Sequence, residues 1–262
     1  MSLDADLHQV IRSATAAELS WVGPDGRPDA APATPLLLAD QPVVALPYAY
    51  DQLARTIAKA PAVGLTLSDP RLTGANWKPL AVIARPRLIE DRDGAIFAEH
   101  LVTQELRKYP PARALIDSPM LRREHWWYVP RLLILIEPDS ATAVTAVAAR
   151  REPSDLLLSV TDGIDITIDT VRPEDTGTEQ LRLTSLTGRA LPDGAAALLG
   201  HDFSVPDFER WTSWLTRGQL SDGFLRVEER PERTTLEPTL TLWQRFRRQR
   251  QLERACRRGL NA

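Results

Sequence analysis

Arg55 and Lys59 stand four residues apart in the segment Asp51–Lys59, a spacing that puts two cations on one face of a helix. Such a pair can hold a phosphate, which takes bidentate hydrogen bonds from arginine and favours the N–H groups at a helix start. It can equally be a solvated face. The four histidines, His8, His100, His125 and His201, show no ligand spacing with one another or with the single cysteine, Cys256, so no metal site is expected. His201, in the run Gly200-His201-Asp202-Phe203-Ser204, is the notable singleton, and it reads either as a haem ligand or as a structural histidine after a strand. Neither a phosphate-loop nor a dinucleotide-binding glycine pattern occurs, and no nucleophile-elbow motif frames a serine. Trp126, Trp127, Trp211 and Trp214 read as packing residues.

The elements that must position these groups are strands first. Apolar runs at Leu19–Val22, Thr34–Ala39 and Val43–Leu46 are separated by Pro-Asp-Gly and Asp-Gln-Pro turns, the pattern of a β-meander. The helical segment Asp51–Lys59 follows, then a strand at Val63–Leu67. Ahead of the meander, Leu7, Val10, Ile11 and Ala14 have the spacing of an amphipathic helix. Beyond it, a loop over Ser68–Pro79 leads into a long strand at Leu80–Glu90, where Pro86 argues for an edge or a bulge. Ala95–Arg107 is helical, and His125–Glu137 is the most strand-like run of the chain.

A second meander begins after the linker Arg150–Asp155. Its strands fall at Leu156–Val160, Ile164–Val171 and Leu181–Leu186. Asp-Gly turns at 25–26 and 162–163, the third strands, Trp77 with Trp211, and Arg85 with Arg217 recur in the same order at a slowly drifting offset. This reads as an internal duplication; shared turn chemistry of two unrelated meanders is the alternative. Where the first copy has its basic helix, the second has only the loop Thr187–Asp193. The expectation is a mainly β protein with helices (α+β), divided into units 1–149 and 150–262. The second unit includes a helix over 239–260 with seven arginines and an apolar stripe at Leu242, Phe246, Leu252, Cys256 and Leu260. A helix docked by that stripe is expected, with a nucleic-acid contact the weaker reading.

Composition narrows the class. The chain has 262 residues, is 43% hydrophobic and 26% charged, and carries a net charge of −3, which exerts no long-range pull on nucleic acid or anionic lipid. Three of its 32 basic residues are lysine and 29 are arginine. One cysteine excludes an intrachain disulfide. The acidic, amphipathic start is unlike a signal peptide, and no stretch approaches the ~20 apolar residues of a membrane span. A cytoplasmic protein with no membrane partner is expected.

In Ala14–Asp91 the order of elements resembles the flavin-binding split-barrel family of pyridoxamine 5'-phosphate oxidase, which includes deazaflavin-dependent reductases. The resemblance is carried by the strand ELSWV, the turn DGRP, the strands APATPLLL and VVALP, the helix LARTIAKAP, and the strands AVGLTL and AVIARPRLIED. It covers roughly the first 140 residues and, more weakly, the second half. It implies two tandem split barrels, paired as a pseudo-dimer within one chain or as a homodimer, with a cofactor in the groove between barrels. That cofactor would be FMN, alternatively a deazaflavin, less readily haem. By the same resemblance Arg55 and Lys59 would bind its phosphate, Thr34 and Tyr48 would line it, and Trp77 and Lys78 would precede the strand crossing it. The implied function is a flavin- or deazaflavin-dependent oxidoreductase acting on a small molecule, with no catalytic residue assigned. Leu53 and Ala60 depart from the family's usual basic residue and Asn. They carry the alternative, a non-catalytic split-barrel binding or interaction protein.

Overall fold

The structure, a computed structural model, describes residues 3–74, 77–137, 143–176 and 179–262. Residues 138–142, where the sequence places the close of the first half, lie outside these. The chain opens with helix α1 (Leu3–Ser13), then strands β1 (Ala17–Val22), β2 (Pro28–Ala33), β3 (Leu36–Leu38) and β4 (Gln41–Pro47). A single 3₁₀ turn, Tyr48–Tyr50, leads into helix α2 (Asp51–Ala58), followed by β5 (Val63–Leu67) and β6 (Leu80–Asp91). Helices α3 (Val102–Lys108), α4 (Arg113–Ile116) and α5 (Pro119–Glu124) precede β7 (Arg131–Glu137) and β8 (Ala143–Ala146). The second unit is all strand: β9 (Leu156–Asp162), β10 (Asp165–Asp175), β11 (Gln180–Ser185), β12 (Gly194–Phe203), β13 (Trp211–Ser221) and β14 (Phe224–Glu229). Helix α6 (Leu242–Leu260) ends the chain, its start fixed by a capping box between Thr241 and Gln244.

The two units share one strand order. The first runs β2-β1-β5-β6-β7-β4-β3, with β8 added on β6; the second is a closed barrel that runs β10-β9-β12-β13-β14-β11 and returns to β10. β10 pairs with β9 through its first half and with β11 through its second. β2 and β3, interrupted at Thr34 and Pro35, divide that task in the first unit: β2 pairs with β1 and β3 with β4. The interruption corrects the expected strand over Thr34–Ala39. β6 changes partners along its length, from β5 at Leu80–Ala84 to β7 at Arg85–Asp91. Pro86 sits at that corner, where β5 no longer pairs with the strand.

The faces follow from period-two alternation. On β1, Leu19 and Trp21 point into the first core, whereas Glu18 and Ser20 face the second unit. On β9, Leu158 and Val160 enter the second core, whereas Ser159 and Thr161 face back. Both strands are therefore buried on both sides. The interface between units is apolar around Val22, Ala81, Leu157, Ile166, Ile168 and Leu199. Near its middle the Ser159 hydroxyl donates to Ser20 Oγ at 2.7 Å. Gly64 of β5 lets the units approach here, since a Cβ would lie 2.0 Å from Ile168 Cδ1 and that side chain would have to turn aside.

Two further expectations change. His125–Glu137 is not one strand: Trp126–Tyr128 form a 3₁₀ turn and β7 starts only at Arg131. Pro130 breaks the run, and Arg131 is buried with its guanidinium 4.0 Å from the centre of the Phe97 ring and 4.2 Å from that of Tyr128. Packing around this cation overrides the β-propensity of the aromatic run. Helix α6, grouped by sequence with the second unit, packs on the first. Cys256 is buried with Trp127 and Tyr128, and Arg92 Nη2 donates to the Leu260 carbonyl at 2.7 Å. Only the second half of the stripe is docked, since Leu242 is 84% exposed and Phe246 48%.

Candidate ligand sites

Arg55 lies on the outer face of α2. Its Nε donates to Asp51 at 2.9 Å and its Nη1 pairs with Glu90 at 2.8 Å, so both edges of the guanidinium meet carboxylates. Lys59 follows the last turn of the helix and is exposed. Asp51 occupies the first turn, so the helix start already carries an anionic group. Tyr48 is 1% exposed beneath α6 and its hydroxyl has no hydrogen-bond partner. Burial first, and then the Glu90 charge, push its pKa up to about 12. Thr34 is half-buried in the β2–β3 link, and Lys78 is exposed. Trp77 packs on the first core with its indole N–H buried and unpartnered. None of these six residues lines any of the three cavities described below. As arranged, they do not fit a flavin phosphate: the arginine that would bind it is already paired, and the tyrosine lies under a helix.

His201 lies at the heart of the interface. Its Nε2 is 2.8 Å from Glu18 Oε1 and 2.7 Å from Arg150 Nη2, and Arg150 also pairs with Glu18 and donates through Nε to Ser68 Oγ at 2.9 Å. Burial alone would raise the Glu18 pKa, but the Arg150 charge and hydrogen bonds from His201 and Arg150 outweigh it and bring it to about 2. Burial, then the Arg150 charge, lower that of His201, so the ring is neutral at pH 7. The ring is fully buried and its Nδ1 has no hydrogen-bond partner, so an iron would reach it only if the interface opened. The residue is structural, tying β1, β12 and the linker together. Among the described residues no group of three or more potential metal ligands is found.

Three cavities remain. One of about 760 Å³ opens at the end of the second barrel, beside Arg182, Arg189 and Phe224. A second, of about 440 Å³, lies beside α1 and the end of α3. The third, of about 310 Å³, is a cleft where α6 and the helical layer of the first unit meet the start of β13. Tyr109, Tyr128, Trp211 and Leu252 give it an apolar wall, and Arg245 and Arg248 edge it. The Tyr109 and Trp211 rings stand 6.0 Å apart. The Trp211 indole N–H is buried and has no partner. Arg245 is held by Glu209 at 2.7 Å, whereas Arg248 has no ion pair among the described residues. Sequence reasoning took Trp211 for packing and passed over Tyr109, which lies 102 positions earlier; no local pattern announces that they meet.

No family description and no curated protein matches the sequence. Among solved structures, similarity is found to the haem storage protein HutZ of Vibrio cholerae, at 15% identity over 56% of this chain and 95% of that one, with a TM-score of 0.37. A pyridoxamine 5'-phosphate oxidase-related, FMN binding protein of Nostoc punctiforme is similar at 18% identity over 65% and 96%, with a TM-score of 0.34. A haem binding protein of Mycobacterium smegmatis is similar at 11% identity over 100% and 99%, with a TM-score of 0.36. Likenesses this distant carry neither fold nor ligand across. The architecture rests on the strand pairing itself.

Proposed function

We propose that this is a small-molecule-binding protein of split-barrel design that takes a planar, anionic ligand in the cleft between Trp211 and α6. The observation that carries the proposal is the cleft itself, whose wall brings the Tyr109 and Trp211 rings together beside Arg248. Tyr109 and Trp211 supply aromatic surface for a flat ring, and Arg248 supplies a charge that forms no ion pair among the described residues. FMN, a deazaflavin and haem all belong to this ligand class. If a flavin is held, hydride chemistry is supplied by the cofactor, and the protein's part is to bind and orient it. The engaged guanidinium of Arg55 and the covered Tyr48 support a ligand seat away from α2.

Calorimetric titration of the purified protein with FMN and with haemin tests the reading. Saturable binding of one of them is expected, weakened about tenfold in Arg248→Ala through loss of a charge-assisted hydrogen bond, and unchanged in Arg55→Ala. Binding that follows Arg55→Ala instead would return the site to α2. Absence of binding by either probe would leave the interaction-protein reading.

A further inference from the structure

Lys108, at the end of α3, is 4% exposed. Its Nζ donates to two backbone carbonyls, that of Ile11 in the last turn of α1 and that of Pro35 in the β2–β3 link, the latter at 2.6 Å. Among the described residues no carboxylate pairs with it, although buried charges are ordinarily paired. Burial, and then the charge of Arg107, push its pKa down to about 7.

The cavity of about 440 Å³ lies against this lysine, within the size range of small-molecule pockets, ~300–1,000 Å³. Arg12, Ser13, Thr15, Arg107 and Lys108 line it from the first unit, and Phe208 lines it from the second. No acidic residue contributes to the wall. Arg107 is exposed and has no partner among the described residues. Arg12 meets only Asp40, at 3.1 Å, in a pair that is well over half exposed. The Thr15 hydroxyl makes one long bond, 3.4 Å to the Leu72 carbonyl. Two arginines, a buried lysine and the Thr15 hydroxyl thus surround one space, with an aromatic residue opposite, while the Ser13 hydroxyl donates back to the Gln9 and Val10 carbonyls.

We propose that this cavity binds a phosphate monoester. Arg107 and Arg12 grip the dianion from the mouth, and Lys108 provides the buried charge beneath it. The Thr15 hydroxyl donates to a phosphate oxygen, and Phe208 packs on the organic part. Because residues of both units form the wall, an occupant bridges them. The inference is independent of the cleft at Trp211, which shares none of these residues.

Titration of the full chain with glycerol 3-phosphate, a phosphate monoester without a planar ring, at fixed ionic strength, with chloride as the control anion, tests it by calorimetry. One saturable site per chain is expected, with affinity reduced about tenfold in Arg107→Ala, the size of one lost charge-assisted hydrogen bond, and unchanged in Arg123→Ala, an exposed arginine that lines neither this cavity nor the cleft. Arg107 is exposed, so that variant keeps the fold even where Lys108→Met does not. Saturable binding that survives Arg107→Ala, or no saturable binding by the unmodified protein, would overturn the proposal. Lys108 would then serve only to fasten α1 to the β2–β3 link.

Discussion

At the residue scale the buried contact among Glu18, Arg150 and His201 matters most for stability. Arg150 comes from the linker, Glu18 from β1 and His201 from β12, so one guanidinium joins three separate segments. Removing it leaves an uncompensated carboxylate in the interface. Arg150→Met is expected to lower the unfolding free energy by about 3–5 kcal/mol, measured by chemical denaturation at pH 7. The acid limb has a definite sign. Glu18 titrates near 2 in the folded state, below its ordinary value of 4.5, so its contribution is fully present above pH 4.5 and is lost as the pH falls towards 2. An unfolding free energy that declines no faster over that window than in Glu18→Gln would contradict the assignment.

At the scale of elements, α6 is buried by its second half alone, its exposed first half being tied only through polar contacts such as the Arg245–Glu209 ion pair. Gly259 packs so closely that a Cβ there would come within 2.1 Å of the Tyr48 carbonyl oxygen. Gly259→Val is therefore expected to lift the end of the helix. Cys256, the single thiol, is fully buried with its pKa raised by burial, and it reports that motion directly. Its rate of reaction with an aromatic disulfide reagent should rise at least tenfold in the variant, because reactivity follows exposure and thiolate fraction. An unchanged rate would mean that the helix end is free to adjust. The first half of α6 stays in water, with Trp243 and Phe246 stacked 5.8 Å apart and arginines over both rings. A regular apolar spacing in sequence thus overstates how much of a helix is docked.

At the scale of the molecule, the two units share one strand order. Of the landmarks paired by sequence, the Asp-Gly turns join β1 to β2 and β9 to β10, and Arg85 and Arg217 lie on β6 and β13, whereas Trp77 precedes β6 and Trp211 lies within β13. The units meet through a continuous apolar surface and the Glu18–Arg150 ion pair. Unfolding is therefore expected as one cooperative transition, with tryptophan fluorescence and far-ultraviolet dichroism coincident. Two resolved transitions would mean that the units are energetically separate. Among the described residues no helix is long and apolar enough to cross a membrane.

The sequence by itself determined the strands and where they turn, because alternation and turn chemistry act over a few residues. β1, β4, β5, β6, β9, β11 and α2 all stand near where periodicity and Gly/Asp/Pro punctuation place them. It did not determine what Arg55 would face. Asp51, four residues earlier, was within reach of a helical reading, but Glu90 is 35 positions away and arrives only through the pairing of β6 with β7, which itself pairs with β4. In the same way Tyr109 meets Trp211, and Lys108 meets Ile11 and Pro35, across separations that no local pattern encodes. Ion pairs, cavities and orphaned donors depend on which distant surfaces come together. That is settled by packing of the whole chain, so the barrels were legible in the sequence and the candidate sites only in three dimensions.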